Sequence, residues 1–177
     1  MDPRPDRAFA DLHSHSSASF DSLASPAKMV EKAVRIGLTH LAITDHERID
    51  GALRARDLAP DGLTVIIGEE VRTRAGDLIG LFLERAVPPG LSPAETAAAI
   101  HEQGGLVGLP HPFDRFRSSG GDQAAAEAEV AALAAAVDYV EIHNARAYGS
   151  ANPMAAAFAK THGIPGVASS DAHSVTE

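Results

Sequence analysis

The sequence has no cysteine among its 177 residues. That excludes disulfides, thiol catalysis and thiolate metal sites together, while leaving the redox compartment open. No apolar run approaches the ~20 residues needed to span a bilayer. The start, MDPRPDRAFAD, has neither the basic opening nor the apolar stretch of a signal peptide. A cytoplasmic, soluble protein with no membrane partner is therefore expected. Basic residues are also scarce: 15 Lys and Arg against 24 Asp and Glu give a formal net charge of −9. Phosphate backbones are held mainly by Lys and Arg, so a general nucleic-acid surface is not favoured. It is not excluded either, because bound divalent cations would offset carboxylates that serve as ligands.

What the chain does have is a core and a pattern. Hydrophobic residues make up 45% of it, and the length suits one domain spanning 1–177. Short apolar runs predict strands over 8–12, 39–43, 63–67, 78–83, 106–109, 138–142 and 165–168. Helices are expected between them. Those over 26–36 and 93–103 open on Ser25-Pro26 and Ser92-Pro93 and stop at Gly37 and Gly104. Two more are expected over the Ala-rich 123–136 and over 153–162. Alternation of this kind reads as α/β with a mainly parallel sheet, either a barrel or an open sheet. The chain stops within nine residues of its last strand, so a C-terminal closing helix is expected to be missing.

Residues 70–79 leave no room for a helix and read as a hairpin. A two-residue turn at Arg74-Ala75 would set Arg72 opposite Asp77 and put Glu70 and Asp77 on one face. A three-residue turn would undo that pairing.

The chemistry lies in how histidines and carboxylates are placed. His13 and His15 follow the first strand, two apart, so in extended chain both imidazoles face one way. Asp45-His46 follows the second strand, Glu69-Glu70 the third, His111 the fifth, His143 the sixth, and Asp171 with His173 the seventh. In parallel α/β folds the carboxyl ends of the strands converge on one rim, where active sites form. A lone His or Asp after a strand is usually a cap or turn residue; agreement across six strand ends favours a metal site. His40, His101 and His162 are ordinary helix-end or helix-surface residues. All-N/O ligation suits Zn, Mn or Fe(II), and the number of candidates exceeds what one ion uses. Two or three divalent ions are expected, with Glu70 as the carboxylate bridge.

The ordered motifs DLHSHSSASFDS, AITDHE, GEE, PHPF and SSDAHS resemble the polymerase and histidinol phosphatase (PHP) family from about residue 9 to 174. The resemblance implies a distorted (β/α)7 barrel like a TIM barrel, a di- or trinuclear metal site and phosphoester hydrolysis. It implies His13, His15, Asp21, His46, Glu70, His111, Asp171 and His173 as ligands. Asp77 stands where many members carry a His; it is either a ligand or the mark of a weakly held or absent second metal. His143 falls where relatives often have Asn or an apolar residue and is read as a substrate contact. Arg115, Arg117 and Arg146 are candidate phosphate-binding groups, since a guanidinium can grip phosphate in two places.

The expected reaction is hydrolysis of a phosphomonoester or phosphodiester by a metal-bound hydroxide attacking phosphorus in line. Glu70, Asp171 and His173 are the candidate catalytic residues, the last two relaying protons. The favoured partner is a small phosphorylated substrate. The alternatives are a nuclease or nucleotide phosphatase of the same fold, an amidohydrolase, and a non-catalytic binding domain. Many amidohydrolases use a carboxylated lysine bridge, and the three lysines here, Lys28, Lys32 and Lys160, all fall in helix patterns.

Overall fold

The Ser-Pro pairs start helices. In the computed structural model, which describes residues 7–114 and 133–177, the Ser25 side chain accepts from the Lys28 N–H. Helix α1 (Pro26–Ile36) runs from there and ends on Gly37 at φ 83°. Helix α2 (Asp50–Leu58) has no side-chain cap at Ile49 and buries only Gly51, Ala52 and Ala55. Neither a capping residue nor a large apolar stripe marks it in the sequence. Helix α3 (Pro93–His101) opens with a full capping box, Ser92 and Glu95 satisfying each other's backbone donors. Helix α4 (Ala151–His162) starts two residues before its expected place. The helix expected over 123–136 falls almost wholly outside the described residues.

Seven strands form one sheet in chain order: β1 (Ala10–Asp11), β2 (His40–Ile43), β3 (Thr64–Thr73), β4 (Gly76–Leu81), β5 (Leu106–Leu109), β6 (Tyr139–Asn144) and β7 (Gly166–Ser169). β4 runs antiparallel to both neighbours, while every other pair is parallel. Strand β3 is twice its expected length because it continues into the hairpin. The pair Thr73–Gly76 leaves Arg74-Ala75 as a two-residue turn, with Arg72 opposite Asp77 and Glu70 opposite Ile79. Beyond β7, the Asp171 N–H donates to the His13 carbonyl and the His15 N–H to the Ala172 carbonyl, each at 2.8 Å. These bonds tie the last segment to the first and make the sheet a distorted seven-stranded α/β barrel.

Alternation along the strands divides the core. Leu41, Ile43 and Val65 face outward and pack with Met29, Val30 and Ala33 of α1 and with Ala52 and Ala55 of α2. Ala42, Ile66, Ile79, Leu81 and Tyr139 face inward and fill the barrel. The Tyr139 ring lies across Gly108, where a Cβ would stand 2.2 Å from its Cζ, so only glycine admits the ring. The filled interior leaves the rim above it as the place for chemistry. Among the described residues no helix is long and apolar enough to cross a membrane.

Candidate metal centre

Residues 12–15 continue β1 in extended form, which turns His13 and His15 to the same side. Their Nε2 atoms stand 2.9 Å apart, both fully buried. The buried Glu70 carboxylate reaches several neighbours at once. Its Oε2 lies 3.2 Å from the Nε2 of both histidines and 3.6 Å from His46 Nδ1. Its Oε1 lies 3.2 Å from His111 Nε2. Asp171 Oδ1 closes the inner side, 3.5 Å from His13 and 3.4 Å from His15. Further out, Asp21 Oδ2 lies 3.1 Å from His46 Nε2 and 3.0 Å from His173 Nε2. Three overlapping donor sets result: His13–His15–Asp171, His13–Glu70–His111, and His15–Asp21–His46–His173.

Glu70 sits within β3 rather than past its end. A parallel bridge from His46 to Glu70 joins the loop after β2 to this point of the strand. The loop after β1 is fixed by Asp45, which accepts from the Ser16 N–H at 2.6 Å and the Ser16 hydroxyl at 2.7 Å. Gly51 makes room for that clamp: a Cβ there would lie 2.0 Å from Asp45 Oδ2. Three non-glycine residues at or beside the site take positive φ, namely Glu47 (57°), His111 (29°) and Asp171 (54°). Strained backbone of this kind persists where the surroundings over-determine it, and it clusters at functional sites.

Electrostatics follow from packing imidazoles against carboxylates. Burial pushes the His13 pKa down, but Glu141, Glu70 and Asp171 outweigh it and hold it well above the ordinary imidazole value. For Glu70 burial pushes up, and the charge on His13 with hydrogen bonds from His111, His13 and His15 brings it well below the carboxylate range. Burial and the nearby His15 lower His173. The donors are also oriented. A carboxylate can only accept, so His13 Nδ1, 2.8 Å from Glu141 Oε1, carries a proton. His173 Nδ1 likewise donates to the Asp171 carbonyl at 2.8 Å. In the neutral tautomers both Nε2 lone pairs then face the cluster, the arrangement that suits metal-ligating histidines. The residues present fit divalent cations.

The sequence profile of the PHP domain matches residues 11–135, and that of a PHP-associated segment matches residues 149–177. The chain belongs to the PHP domain family. Over 125 residues it is 39% identical to an uncharacterised protein of Methanocaldococcus jannaschii, covering 64% of this chain and 73% of that one. It is 35% identical over 126 residues to the error-prone DNA polymerase of Mycobacterium tuberculosis, covering 64% of this chain and 12% of the polymerase. Among solved structures it resembles a two-domain Bacteroides vulgatus protein containing a predicted PHP-like metal-dependent phosphoesterase. There the TM-score is 0.78 at 23% identity, with 94% of this chain and 52% of that chain covered. The chain thus spans about half of that structure and a small part of the polymerase.

Of the expected site residues in this PHP domain, eight come together: His13, His15, Asp21, His46, Glu70, His111, Asp171 and His173. Asp77 does not join them. It lines the same open cleft of about 380 Å³, but its carboxylate is taken by the Arg72 guanidinium across the hairpin. Arg146 lines the cleft too, with Nη1 3.4 Å from Glu177 Oε1. Arg115 and Arg117 lie outside the described residues. His143 is exposed and absent from the cleft wall, its Nδ1 3.4 Å from the Asn152 amide. A register shift in β6 between Glu141 and His143 is the cause. Strict alternation would set both on one face; the irregularity turns Glu141 and Asn144 inward and His143 out.

That irregularity delivers two residues the motifs do not announce. Glu141 is buried, holds His13 through one oxygen, and through the other accepts from the His111 N–H at 2.9 Å and the Asn144 amide at 3.0 Å. Asn144 also donates to Asp171 Oδ2 at 3.1 Å. A glutamate amid the apolar strand residues Tyr139-Val140-Glu141-Ile142 was the available signal, since a charge there needs a buried partner.

Glu69, next to Glu70 but facing away from the PHP cluster, titrates in a different range. Its Oε2 accepts from the Val87 N–H at 2.8 Å, and among the described residues its Oε1 has no hydrogen-bond partner. Burial, resisted by the Val87 bond, raises its pKa from 4.5 to about 7. Between those values the folded state binds more protons than the unfolded state. The stability Glu69 contributes is therefore complete below pH 4.5 and is lost as pH rises through about 7. Glu69→Gln keeps an acceptor for Val87 and cannot ionise. Relative to wild type it should gain about 2 kcal/mol between pH 5.5 and 8.5. Urea unfolding of chelator-treated protein at the two pH values measures this; an equal difference at both would contradict it.

Proposed function

We propose that this PHP domain is a metal-dependent phosphoesterase acting on a small phosphorylated substrate, with two or three divalent ions, Zn, Mn or Fe, held in the three donor sets. The observation that carries the reading is the Glu70 carboxylate, whose two oxygens face different histidines and so suit a bridge between cations. When bound, such ions supply a nucleophile at neutral pH and Lewis acidity toward the phosphoryl oxygens. The protein's part is to orient and neutralise. Glu141 fixes the His13 ring, the Asp171 carbonyl fixes the His173 ring, and Arg146 brings a positive charge to a cleft that three carboxylates also line. Proton transfer falls to His173, which lines the cleft, or to Asp171 behind it, 3.6 Å away.

The test is to count metal in the purified protein and to measure hydrolysis of p-nitrophenyl phosphate before and after chelation. At least one ion per chain and turnover that vanishes on stripping and returns with Mn²⁺ or Zn²⁺ are expected. Turnover that survives stripping, or substoichiometric metal, overturns the reading. The likeness to a DNA polymerase points to nucleic acid as the alternative substrate class, and so to a second reading, a nuclease. Faster turnover of oligonucleotides than of mononucleotides and sugar phosphates would favour it over the small-substrate reading.

A further inference from the structure

The donor sets leave one carboxylate of the cleft outside them. Asp77 faces the cleft from β4, yet its Oδ1 accepts from Arg72 Nε rather than joining an imidazole cluster. The hairpin dictates this: Arg72 and Asp77 are directly opposed, and Arg72 follows Glu70 by two residues on the same face. One strand repeat of ~6.6 Å therefore separates the Glu70 and Arg72 backbones. The two partners differ in exposure. The Asp77 side chain is 10% exposed and the Arg72 side chain 63%, so the anchor is buried and the cation stands at the mouth.

A guanidinium held through Nε keeps both terminal nitrogens for another ligand. Its planar fork matches two oxygens of a phosphate. The cleft needs such a group. Asp21, Glu70 and Asp77 line it with negative charge, which opposes the approach of a phosphate dianion, and the other guanidinium on its wall, Arg146, is itself engaged with Glu177. We propose that Arg72 binds the phosphoryl group of the substrate and that Asp77 is its positioning residue rather than a metal ligand. The inference rests on the phosphoesterase reading and deepens it.

Inorganic phosphate is the probe, with binding to metal-loaded protein measured by calorimetry beside p-nitrophenyl phosphate kinetics and metal content. Loss of a charge-assisted contact at a partly exposed site predicts that Arg72→Ala weakens phosphate binding about tenfold and raises KM similarly. Arg72→Lys, which keeps the charge without the fork, should recover part of that. Asp77→Asn should weaken phosphate binding by a smaller factor and leave the metal count unchanged. Arg54→Ala, on the exposed face of α2, should behave as wild type. Unchanged phosphate affinity in Arg72→Ala overturns the inference, as does loss of an ion in Asp77→Asn. Wild-type protein that turns over no phosphoester overturns the phosphoesterase reading itself, and this inference with it.

Discussion

Glu70→Ala is expected to lose bound metal and to abolish hydrolysis of p-nitrophenyl phosphate while keeping its far-UV circular dichroism. The carboxylate touches four imidazoles, of His13, His15, His46 and His111, and those four are spread over all three donor sets. Removing a group that merely orients a ligand costs ~10–100-fold in metal affinity or activity. Removing a carboxylate proposed to bridge the ions should exceed that, so a fall of more than ~100-fold in kcat/KM is the expected result. In the metal-free protein the effect runs the other way round the same contact. Glu70 helps hold the His13 pKa well above its usual value, so without it His13 gives up its proton at lower pH. Glu70→Gln keeps the volume and one acceptor oxygen, and it separates lost packing from lost charge. Metal content and turnover at the wild-type level in both variants would remove Glu70 from the site.

How far the sequence carries to this point depends on what kind of signal each element leaves. Helices α1 and α3 are legible because capping is local chemistry: Ser25 and Ser92 satisfy backbone donors three residues ahead. Helix α2 leaves no such mark. It begins without a side-chain cap and packs through Gly51, Ala52 and Ala55, where close approach replaces apolar bulk. The hairpin itself is legible, but its register hung on a turn of two or three residues; the two-residue turn sets Arg72 opposite Asp77. What the pair does with that opposition is not legible. Whether Asp77 turns to an imidazole or a guanidinium depends on Arg72 reaching across the strand, a tertiary choice between two cations.

Most of the histidine and carboxylate motifs were readable because they sit at strand ends, where each residue's side follows from local geometry; Glu70, within β3, is the exception. His143 and Glu141 show the limit of that reasoning. A period of two assigns them the same face, and one irregularity in the β6–β7 pairing reverses one of them. Pairing registers are set by the neighbouring strand, so the sequence of β6 alone does not contain the answer. The same irregularity explains why the residue that orders the inner cluster lies inside a strand rather than in any of the histidine motifs.

Glu141 is therefore the second place where a single change should matter most. It engages three parts of the cluster through two oxygens: the His13 ring at 2.8 Å, the His111 backbone at 2.9 Å and the Asn144 amide at 3.0 Å. The His111 backbone is held at φ 29°, a conformation that a lost hydrogen bond would let relax. Asn144 in turn holds Asp171. Glu141→Ala frees the His13 ring to rotate and to move its proton to Nε2, which removes the lone pair from the cluster. Metal affinity should fall by ~10–100-fold, the usual cost of losing a partner behind a ligating histidine. Turnover should return toward wild type as Mn²⁺ or Zn²⁺ is raised, because the ligands themselves remain. Glu141→Gln keeps an acceptor for His13 but not the charge, and should lie between the two. The His13 pKa gives an independent readout by NMR of the metal-free protein: it should drop in both variants, since Glu141 is the strongest of the carboxylates that raise it. An activity loss that excess metal does not reverse, with an unshifted His13 titration, would mean that Glu141 supports the barrel rather than the ligands.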